Sequence, residues 1–256
     1  MRSVTPTPSG DLVAVVLPGS GSDAAFVRSA FGEPLAAVGA QLIAPDPDAV
    51  RGVVAGYRSS LDEALRTVRD MTSDTRPRLL VGGVSLGAHV AAAWAAQPGR
   101  SPHLAGLLLA LPAWTGTPGD APAALTARAT ARQVRTAGLD ATLAALRASA
   151  PRWLADDLTR SWTAHGDGLA AALDEAARTP APADDVLRRL TVPAGVASCV
   201  DDPVHPTAVA QDWTRLLPRA RIVETRLRAV SADPATLGRA AVLGWLRASA
   251  PQPPTG

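Results

Sequence analysis

The sequence predicts an α/β fold in which a mostly parallel sheet lies between two layers of helices and carries a helical insertion. Short apolar runs alternate with longer helical patterns along most of the chain, as a parallel sheet with crossover helices requires. One long stretch between two of these runs has only helical character. At 256 residues with 47% apolar content, the chain can bury one large core.

Six short apolar runs have the length and composition of strands, and five helical patterns follow them. Pro206 suits the first turn of one helix, and Asp233 followed by Pro234 pairs a capping side chain with proline at the first helical position. The predicted strands are Leu12–Leu17, Gln41–Ala44, Leu79–Val84, Leu104–Leu111, Val192–Val200 and Arg221–Leu227, and the predicted helices are Ala24–Val38, Tyr57–Met71, Leu86–Gln97, Thr207–Leu216 and Pro234–Ala248.

Roughly 80 residues separate the strand that ends near Leu111 from the strand that begins near Val192, far more than a crossover connection needs. We therefore predict an insertion of about four helices that caps the C-terminal edge of the sheet. Its helices are expected to break at Gly138, Pro151, Gly166 and Pro180.

These boundaries predict a core formed by residues 1–112 and 191–250, a helical cap of residues 113–190, and a frayed tail of residues 251–256. Three tryptophans of the insertion either line a pocket or fill a small helical core. They are Trp114, Trp153 and Trp162.

All 25 basic residues are arginine, and the formal net charge is +2. Without lysine, the chain can form neither a Schiff base nor a P-loop phosphate site. The sequence contains no run of basic residues and no basic patch interleaved with aromatic residues, so nucleic-acid binding is not predicted. A composition rich in alanine, with arginine in place of lysine, is typical of proteins from GC-rich bacterial genomes.

Cys199 is the single cysteine, so the fold does not depend on an internal disulfide. It lies in a predicted strand, where a buried, inert thiol is expected.

The segment Met1–Asp11 lacks the pattern of a signal peptide, and the longest apolar stretch, Leu104–Trp114, is too short to span a bilayer. We expect a cytoplasmic protein with no membrane partner. No cluster has metal-ligand spacing, so neither a metal nor an organic cofactor is predicted.

Ser85 is the first candidate for a catalytic side chain. It stands in the G-x-S-x-G pattern of residues 83–87, between a predicted strand and a predicted helix. A serine on a sharp strand-to-helix turn needs glycine on either side, because backbone and helix crowd it. Such a turn exposes the serine Oγ and directs the first N–H groups of the helix at a developing oxyanion. The alternative is a structural serine in a glycine-rich turn.

The sequence resembles the α/β-hydrolase family over most of its length. The resemblance rests on the G-x-S-x-G pattern, on the turn Leu17–Ser20 after the first strand, and on the segment Cys199–Pro206 after a late strand. It implies a three-layer α/β-hydrolase fold and an oxyanion hole formed by the backbone N–H groups of Ser20 and Leu86.

The family's spacing places the catalytic acid at Asp202, because Pro206 follows it by four residues. Asp201 is then expected to cap the helix that begins at Pro206, although the two aspartates can exchange roles. The base departs from the family pattern, since the late loop that usually supplies it corresponds to residues 228–233 and contains no histidine.

His205 is the best candidate for the base among four histidines. It lies three residues after Asp202, at the edge of the sheet where Ser85 is expected to emerge. Its alternative role is to flank the start of a helix. Of the others, His89 is expected to point away from the sheet edge or into packing, His103 to be solvated, and His165 to lie on a surface loop of the insertion, with a pocket within its reach as the alternative.

A competing interpretation starts from the segment Gly19–Ala24, which fits the G-x-G-x-x-G/A fingerprint of dinucleotide-binding proteins, with Asp46 as a ribose ligand. This interpretation leaves the serine pattern and the Asp202 segment unexplained.

The sequence thus predicts a serine hydrolase that cleaves a carboxylic ester or thioester of a small molecule through an acyl-enzyme on Ser85. His205 is the predicted general base, oriented by Asp202. The absent late histidine motivates an alternative, a non-hydrolytic biosynthetic enzyme or a ligand-binding protein on the same fold. A dinucleotide-dependent oxidoreductase is the other alternative, and the sequence predicts no particular oligomeric state.

Overall fold

The computed structural model describes residues 12–48, 51–70 and 78–251. Within them lies a sheet of six parallel strands in the order β2-β1-β3-β4-β5-β6. Each strand is where the sequence predicts it, with ends displaced by at most two residues. The strands are β1 (Leu12–Leu17), β2 (Ala40–Ile43), β3 (Leu79–Val84), β4 (Leu104–Ala110), β5 (Ala194–Cys199) and β6 (Ala220–Thr225).

Helices cover both faces of this sheet, so the predicted three-layer fold is confirmed. Successive side chains of β1 point to opposite faces: Val13 and Val15 pack into one core, and Ala14 and Val16 into another. The first core is completed by α2 (Val53–Asp70), α3 (Leu86–Ala95) and α9 (Thr207–Leu216), and the second by α1 (Ala24–Ala36), α10 (Leu227–Ala232) and α11 (Ala235–Ser249).

The insertion between β4 and β5 holds five helices where about four are predicted, because a short helix follows the predicted break at Pro180. Other breaks fall where the sequence places them. Gly138 takes a φ of 84° and Gly166 a φ of 52°, left-handed conformations that glycine adopts readily. The helices are α4 (Pro122–Ala137), α5 (Leu139–Ser149), α6 (Arg152–His165), α7 (Leu169–Arg178) and α8 (Asp184–Arg188).

The insertion lies over the edge of the sheet at which the strands end. Helices α1 and α2 each follow a parallel strand, so their N-termini mark this edge. Arg160 of α6 pairs with Asp23, the N-cap residue of α1. Glu175 of α7 accepts hydrogen bonds at the N-terminus of α2. The helices of the insertion therefore reach the edge where functional side chains of such sheets collect.

Helix α2 begins at Val53, four residues before the predicted start at Tyr57. The Glu175 carboxylate accepts hydrogen bonds from the N–H groups of Val53 (2.8 Å) and Val54 (3.2 Å). This carboxylate satisfies two of the N–H groups that a helix start leaves unpaired and lies at the positive end of the helix dipole. Because it comes from 122 residues away, no local pattern reveals the cap.

No helix among the described residues combines the length and the apolar character that crossing a membrane requires. The expectations for Met1–Asp11, for the end of the α2 pattern at Met71 and for residues 252–256 of the tail lie outside the described residues.

Candidate active site

Ser85 lies on the sharp turn between β3 and α3, in a strained backbone conformation with φ 53° and ψ −115°. Its N–H donates to the Ala110 carbonyl at 2.9 Å. A Cβ atom on Gly83 would lie 2.7 Å from the Gly87 Cα, and one on Gly87 would lie 2.7 Å from the Pro18 carbonyl oxygen. Real Cβ atoms do not approach other atoms so closely, so the turn requires both glycines, and Ser85 remains partly exposed.

The structure brings Ser85, His205 and Asp202 together in one hydrogen-bonded chain. Ser85 Oγ lies 3.0 Å from His205 Nε2, and His205 Nδ1 lies 2.8 Å from Asp202 Oδ2. The Asp202 side chain is 6% exposed and that of His205 is 18% exposed. A buried acid, an imidazole and a partly exposed hydroxyl therefore lie in the order that nucleophilic catalysis by serine needs.

Asp202 is held in a fixed orientation by the loop that it belongs to. Its Oδ1 accepts hydrogen bonds from the N–H groups of Val204 (2.8 Å) and His205 (3.1 Å). Burial alone raises the pKa of Asp202, but the hydrogen bonds from His205 and from these N–H groups, together with the charge of His205, outweigh burial and lower it. The carboxylate stays ionised and accepts a hydrogen bond from Nδ1–H, which leaves His205 Nε2 free to accept the proton of Ser85.

Asp201 points to a different helix from the one predicted. Its Oδ1 accepts the Leu227 N–H at 2.7 Å and so caps α10 instead of the helix that follows Pro206. The last predicted strand ends at Thr225 and not at Leu227, because the chain turns into α10 there. This helix contains most of the late loop without histidine, while His205 approaches Ser85 from the loop after β5, the same loop that carries Asp202.

The two predicted oxyanion donors lie beside Ser85. Leu86 is the first residue of α3, where a backbone N–H has no partner within the helix. A Cβ atom on Gly19 would lie 3.7 Å from Ser85 Cβ, so the turn containing Ser20 packs directly against the serine. Within the described residues, neither the Leu86 nor the Ser20 N–H donates a hydrogen bond. Both groups are therefore available to an oxyanion.

The sequence matches no family model and no curated protein, but the fold is similar to solved structures over nearly its whole length. MenH from S. aureus is 16% identical, with 94% of this chain and 95% of that chain covered and a TM-score of 0.69. A bromoperoxidase from Bacillus anthracis is 15% identical, with 93% of each chain covered and a TM-score of 0.65. The chain has the α/β-hydrolase fold.

A thermophilic esterase from Thermogutta terrifontis is 20% identical, with 94% of this chain and 91% of that chain covered and a TM-score of 0.61. At such identities the similarity establishes a common α/β-hydrolase fold and not a common reaction.

His89 is buried in the α/β-hydrolase core one turn of α3 after Ser85. Its Nε2 accepts the Ala113 N–H at 3.0 Å, and its ring lies 4.7 Å from that of Trp114 and 5.6 Å from that of Trp213. Leu111, with a φ of 51°, turns the chain out of β4 just before Ala113. Burial, with a smaller effect from His205, lowers the pKa of His89 to about 3, so the imidazole is neutral.

The buried His89 predicts a specific loss of stability in acid. An unfolded chain protonates this histidine near pH 6.5, whereas the folded protein resists protonation down to about pH 3. The unfolded state therefore binds more protons between these values, and the free energy of unfolding falls as the pH falls from 6.5, by up to about 1.4 kcal/mol per pH unit. We expect His89→Gln to remove this slope, because glutamine keeps an acceptor for Ala113 without titrating.

The measurement is urea unfolding of both proteins between pH 7 and pH 4.5. His103→Gln is the matched control, because His103 lies at the surface, where it contacts Arg69. Parallel stability curves for the wild type and His89→Gln would contradict the neutral, buried state of His89.

Within the described part of the chain, the other two histidines form no hydrogen bond with the Ser85 hydroxyl. His103 lies just before β4 and is partly exposed, whereas the sequence predicts a solvated side chain; it contacts Arg69. His165 is not on a surface loop as predicted: it is the last residue of α6, is half-buried, and has a buried Nε2.

The three tryptophans of the insertion have different surroundings. Trp114 and Trp162 are buried in the core that includes α2 and α3, and the Trp162 indole lies against Gly21. Trp153 is partly exposed and lines a groove of about 140 Å³ with Phe26 and Arg160.

The N-terminus of α1 does not suit the pyrophosphate of a dinucleotide. Asp23 Oδ1 accepts the Phe26 N–H at 2.9 Å, and Asp46 Oδ1 accepts the Ala24 N–H at 2.9 Å. Two carboxylates thus occupy the N–H groups that a phosphate needs, and their charge opposes a second anion. Asp46 caps the helix instead of standing free as a ribose ligand.

Cys199 is buried, as expected for an inert thiol. Burial, with smaller effects from Asp202 and Asp201, raises its pKa to about 12. Among the described residues, no group of three or more His, Cys, Asp and Glu side chains is arranged to hold a metal ion.

The sequence does not single out Tyr57 or Ser22, although each buries a hydroxyl that has no hydrogen-bond partner among the described residues. Tyr57 fits the apolar face of α2, and Ser22 is one of several small residues in a loop. Tyr57 is the chain's only tyrosine, but the burial of its hydroxyl depends on how α2 packs, which no local signal encodes.

Proposed function

We propose that the protein is a serine hydrolase that cleaves a carboxylic ester or thioester through an acyl-enzyme on Ser85. The observation that carries this proposal is the hydrogen-bonded chain from Ser85 Oγ to His205 Nε2 and from His205 Nδ1 to Asp202. A serine hydroxyl is a weak nucleophile unless a neighbouring base removes its proton, and a base acts best when a third group fixes its orientation.

In the acylation step, Ser85 Oγ attacks the carbonyl carbon of the substrate while His205 Nε2 takes its proton. The negative charge that develops on the carbonyl oxygen is stabilised by the N–H groups of Leu86 and Ser20. Asp202 stabilises the imidazolium without accepting its proton. His205 then protonates the leaving alkoxide or thiolate, and the acyl group remains on Ser85.

Deacylation repeats these roles with water as the nucleophile. His205 removes a proton from water, and the hydroxide attacks the acyl carbon. After the second tetrahedral intermediate collapses, Ser85 regains its proton and the carboxylic acid leaves. The same two backbone N–H groups stabilise the oxyanion of both intermediates.

The geometry favours hydrolysis over a non-hydrolytic role. The motive for the non-hydrolytic alternative is the absence of a histidine in the late loop. A base within 3.0 Å of Ser85 Oγ supports full triad chemistry even though it comes from the loop after β5. Because Asp202 and His205 are only three residues apart, their mutual orientation is set within one short loop.

A fluorophosphonate probe tests the proposal directly, because it phosphonylates only an activated serine. We expect stoichiometric labelling of the peptide that contains Ser85, detected by mass spectrometry, and slower labelling in His205→Gln by about 100-fold or more. His103→Gln is the matched control and should label at the wild-type rate. A protein that folds but takes up no label would refute the proposal.

A further inference from the structure

Four side chains around the turn after β1 carry buried polar atoms that have no hydrogen-bond partner among the described residues. They are Ser22 Oγ, Tyr57 Oη, Trp162 Nε1 and His165 Nε2. Tyr57 is fully buried and Trp162 is 7% exposed. Burying a polar group without a partner is destabilising and uncommon, so four such atoms indicate that a hydrogen-bonding group belongs among them.

Ser22 belongs to the segment of residues 21–23, and Trp162 packs directly against it. A Cβ atom on Gly21 would lie 3.0 Å from Trp162 Nε1. Burial lowers the pKa of His165, and hydrogen bonding with the Ser22 backbone opposes this effect. Tyr57 and Trp162 are buried in the same core, and the charges of Asp23 and Asp46 raise the pKa of both Tyr57 and His165.

The cluster adjoins the candidate catalytic serine. The Ser22 N–H donates to the Gly19 carbonyl at 3.1 Å, so the chain folds back on itself between these residues. Gly19 packs against Ser85 Cβ, and Ser20 between them offers its N–H to the oxyanion. The turn that carries Ser22 is therefore the same turn that packs against Ser85.

The donors and acceptors of this cluster suit an uncharged group. Burial, with smaller effects from Asp46, Asp23 and Glu175, holds the pKa of Tyr57 well above its ordinary value, so its hydroxyl remains a donor. The Trp162 indole only donates, whereas the Ser22 hydroxyl both donates and accepts, and the Nε2 of a neutral imidazole at His165 donates or accepts according to its tautomer.

The surrounding charges disfavour an anion. The carboxylates of Asp23, Asp46 and Glu175 lie nearby, and Arg160 is already bound to both Asp23 and Asp157. Arg160 is therefore not free to compensate the charge of an anion bound in the cluster.

We propose that Ser22, Tyr57, Trp162 and His165 form a polar subsite that receives a hydroxyl or carboxamide of the substrate. This inference rests on the proposed function for the position of the reacting carbonyl. It assigns the preferred substrates to esters or thioesters whose acyl chain carries an uncharged group that both donates and accepts hydrogen bonds. An apolar chain of the same shape leaves the four atoms unpaired, and a carboxylate is repelled.

Hydrolysis of matched esters tests the preference. The pairs are p-nitrophenyl 3-hydroxybutyrate with 3-methylbutyrate, and p-nitrophenyl 6-hydroxyhexanoate with heptanoate, in which a methyl group replaces the hydroxyl at two distances from the carbonyl. We expect kcat/KM to favour the hydroxy ester of at least one pair by about tenfold or more. Trp162→Phe, which keeps an aromatic ring and removes the N–H, and Gly21→Ala, which adds a methyl group beside Trp162 Nε1, should each abolish most of that preference.

Trp153→Phe is the matched control, because it makes the same change on the same helix at the partly exposed groove. It should leave the ratio within each pair unchanged. Loss of the preference in Trp162→Phe with similar rates for the apolar esters supports the subsite, since a general disturbance of folding slows both members of a pair.

Binding to Ser85→Ala separates this inference from the proposed function. The N-propyl amides of the same acyl groups are titrated into Ser85→Ala and into the Ser85→Ala, Trp162→Phe double variant by calorimetry. A tenfold tighter Kd for a hydroxy amide that disappears in the double variant supports the subsite, even if no ester is hydrolysed. Equal affinities, or equal hydrolysis within both pairs, would overturn it and leave ordered water as the partner of the cluster.

Discussion

Ser85→Ala is expected to lower kcat/KM for the best ester substrate by about 10⁴- to 10⁶-fold, because the acyl-enzyme can no longer form. His205→Ala should cost a comparable factor, since the hydroxyl then has no base within 3.0 Å. Asp202→Asn should cost about 10⁴-fold, because an amide that donates to Nδ1 favours the wrong tautomer of His205. Initial rates with p-nitrophenyl esters measure all three.

The double variant Ser85→Ala, His205→Ala should be no slower than either single variant by more than a few-fold. Residues that act as one catalytic unit show this non-additivity, because His205 has no proton to remove once Ser85 is gone, and Ser85 is not activated once His205 is gone. His103→Ala is the matched control and should keep wild-type rates. More than a tenth of wild-type activity in Ser85→Ala, with the fold intact by circular dichroism, would falsify the acyl-enzyme mechanism.

The strands could be predicted from sequence because their signal is local. Residues 79–84 and their counterparts are short apolar runs, and a parallel sheet buried on both faces needs little else. The start of α2 and the existence of α10 could not be predicted in this way. Their caps, Glu175 and Asp201, come from distant segments, so the information lies in tertiary contacts and not in the neighbouring residues.

In the candidate site, too, some features follow from local sequence and others depend on tertiary contacts. The turn around Ser85 is visible in sequence, because its geometry demands glycine at fixed positions on each side. Asp202 and His205 follow from their spacing within one loop, but the distance of His205 from Ser85 depends on how β5 pairs with β4. Tyr57 and Trp162 enter the same core only when the insertion packs over the sheet, so no pattern in the sequence brings them together.

Gly87→Ala should destabilise the protein by about 3 kcal/mol or more and abolish ester hydrolysis. A methyl group there would lie 2.7 Å from the Pro18 carbonyl oxygen and closer still to that of Leu17. Both atoms belong to backbone that cannot rotate away, so α3 or the turn after β1 must move. Either displacement shifts the N–H groups of Leu86 and Ser20 relative to Ser85, and oxyanion stabilisation depends on their positions.

Gly32→Ala is the control that separates the effect of a steric clash from the general effect of replacing a glycine with alanine. Gly32 lies within α1 with no atom within 4 Å of an added Cβ, so alanine should stabilise the helix by about 0.5–1 kcal/mol and leave activity unchanged. Urea unfolding and ester hydrolysis of both variants make the comparison. If Gly87→Ala unfolds at the wild-type urea concentration, the tight contact between α3 and the turn after β1 is not what positions Ser85, and another constraint must hold the serine in its strained conformation.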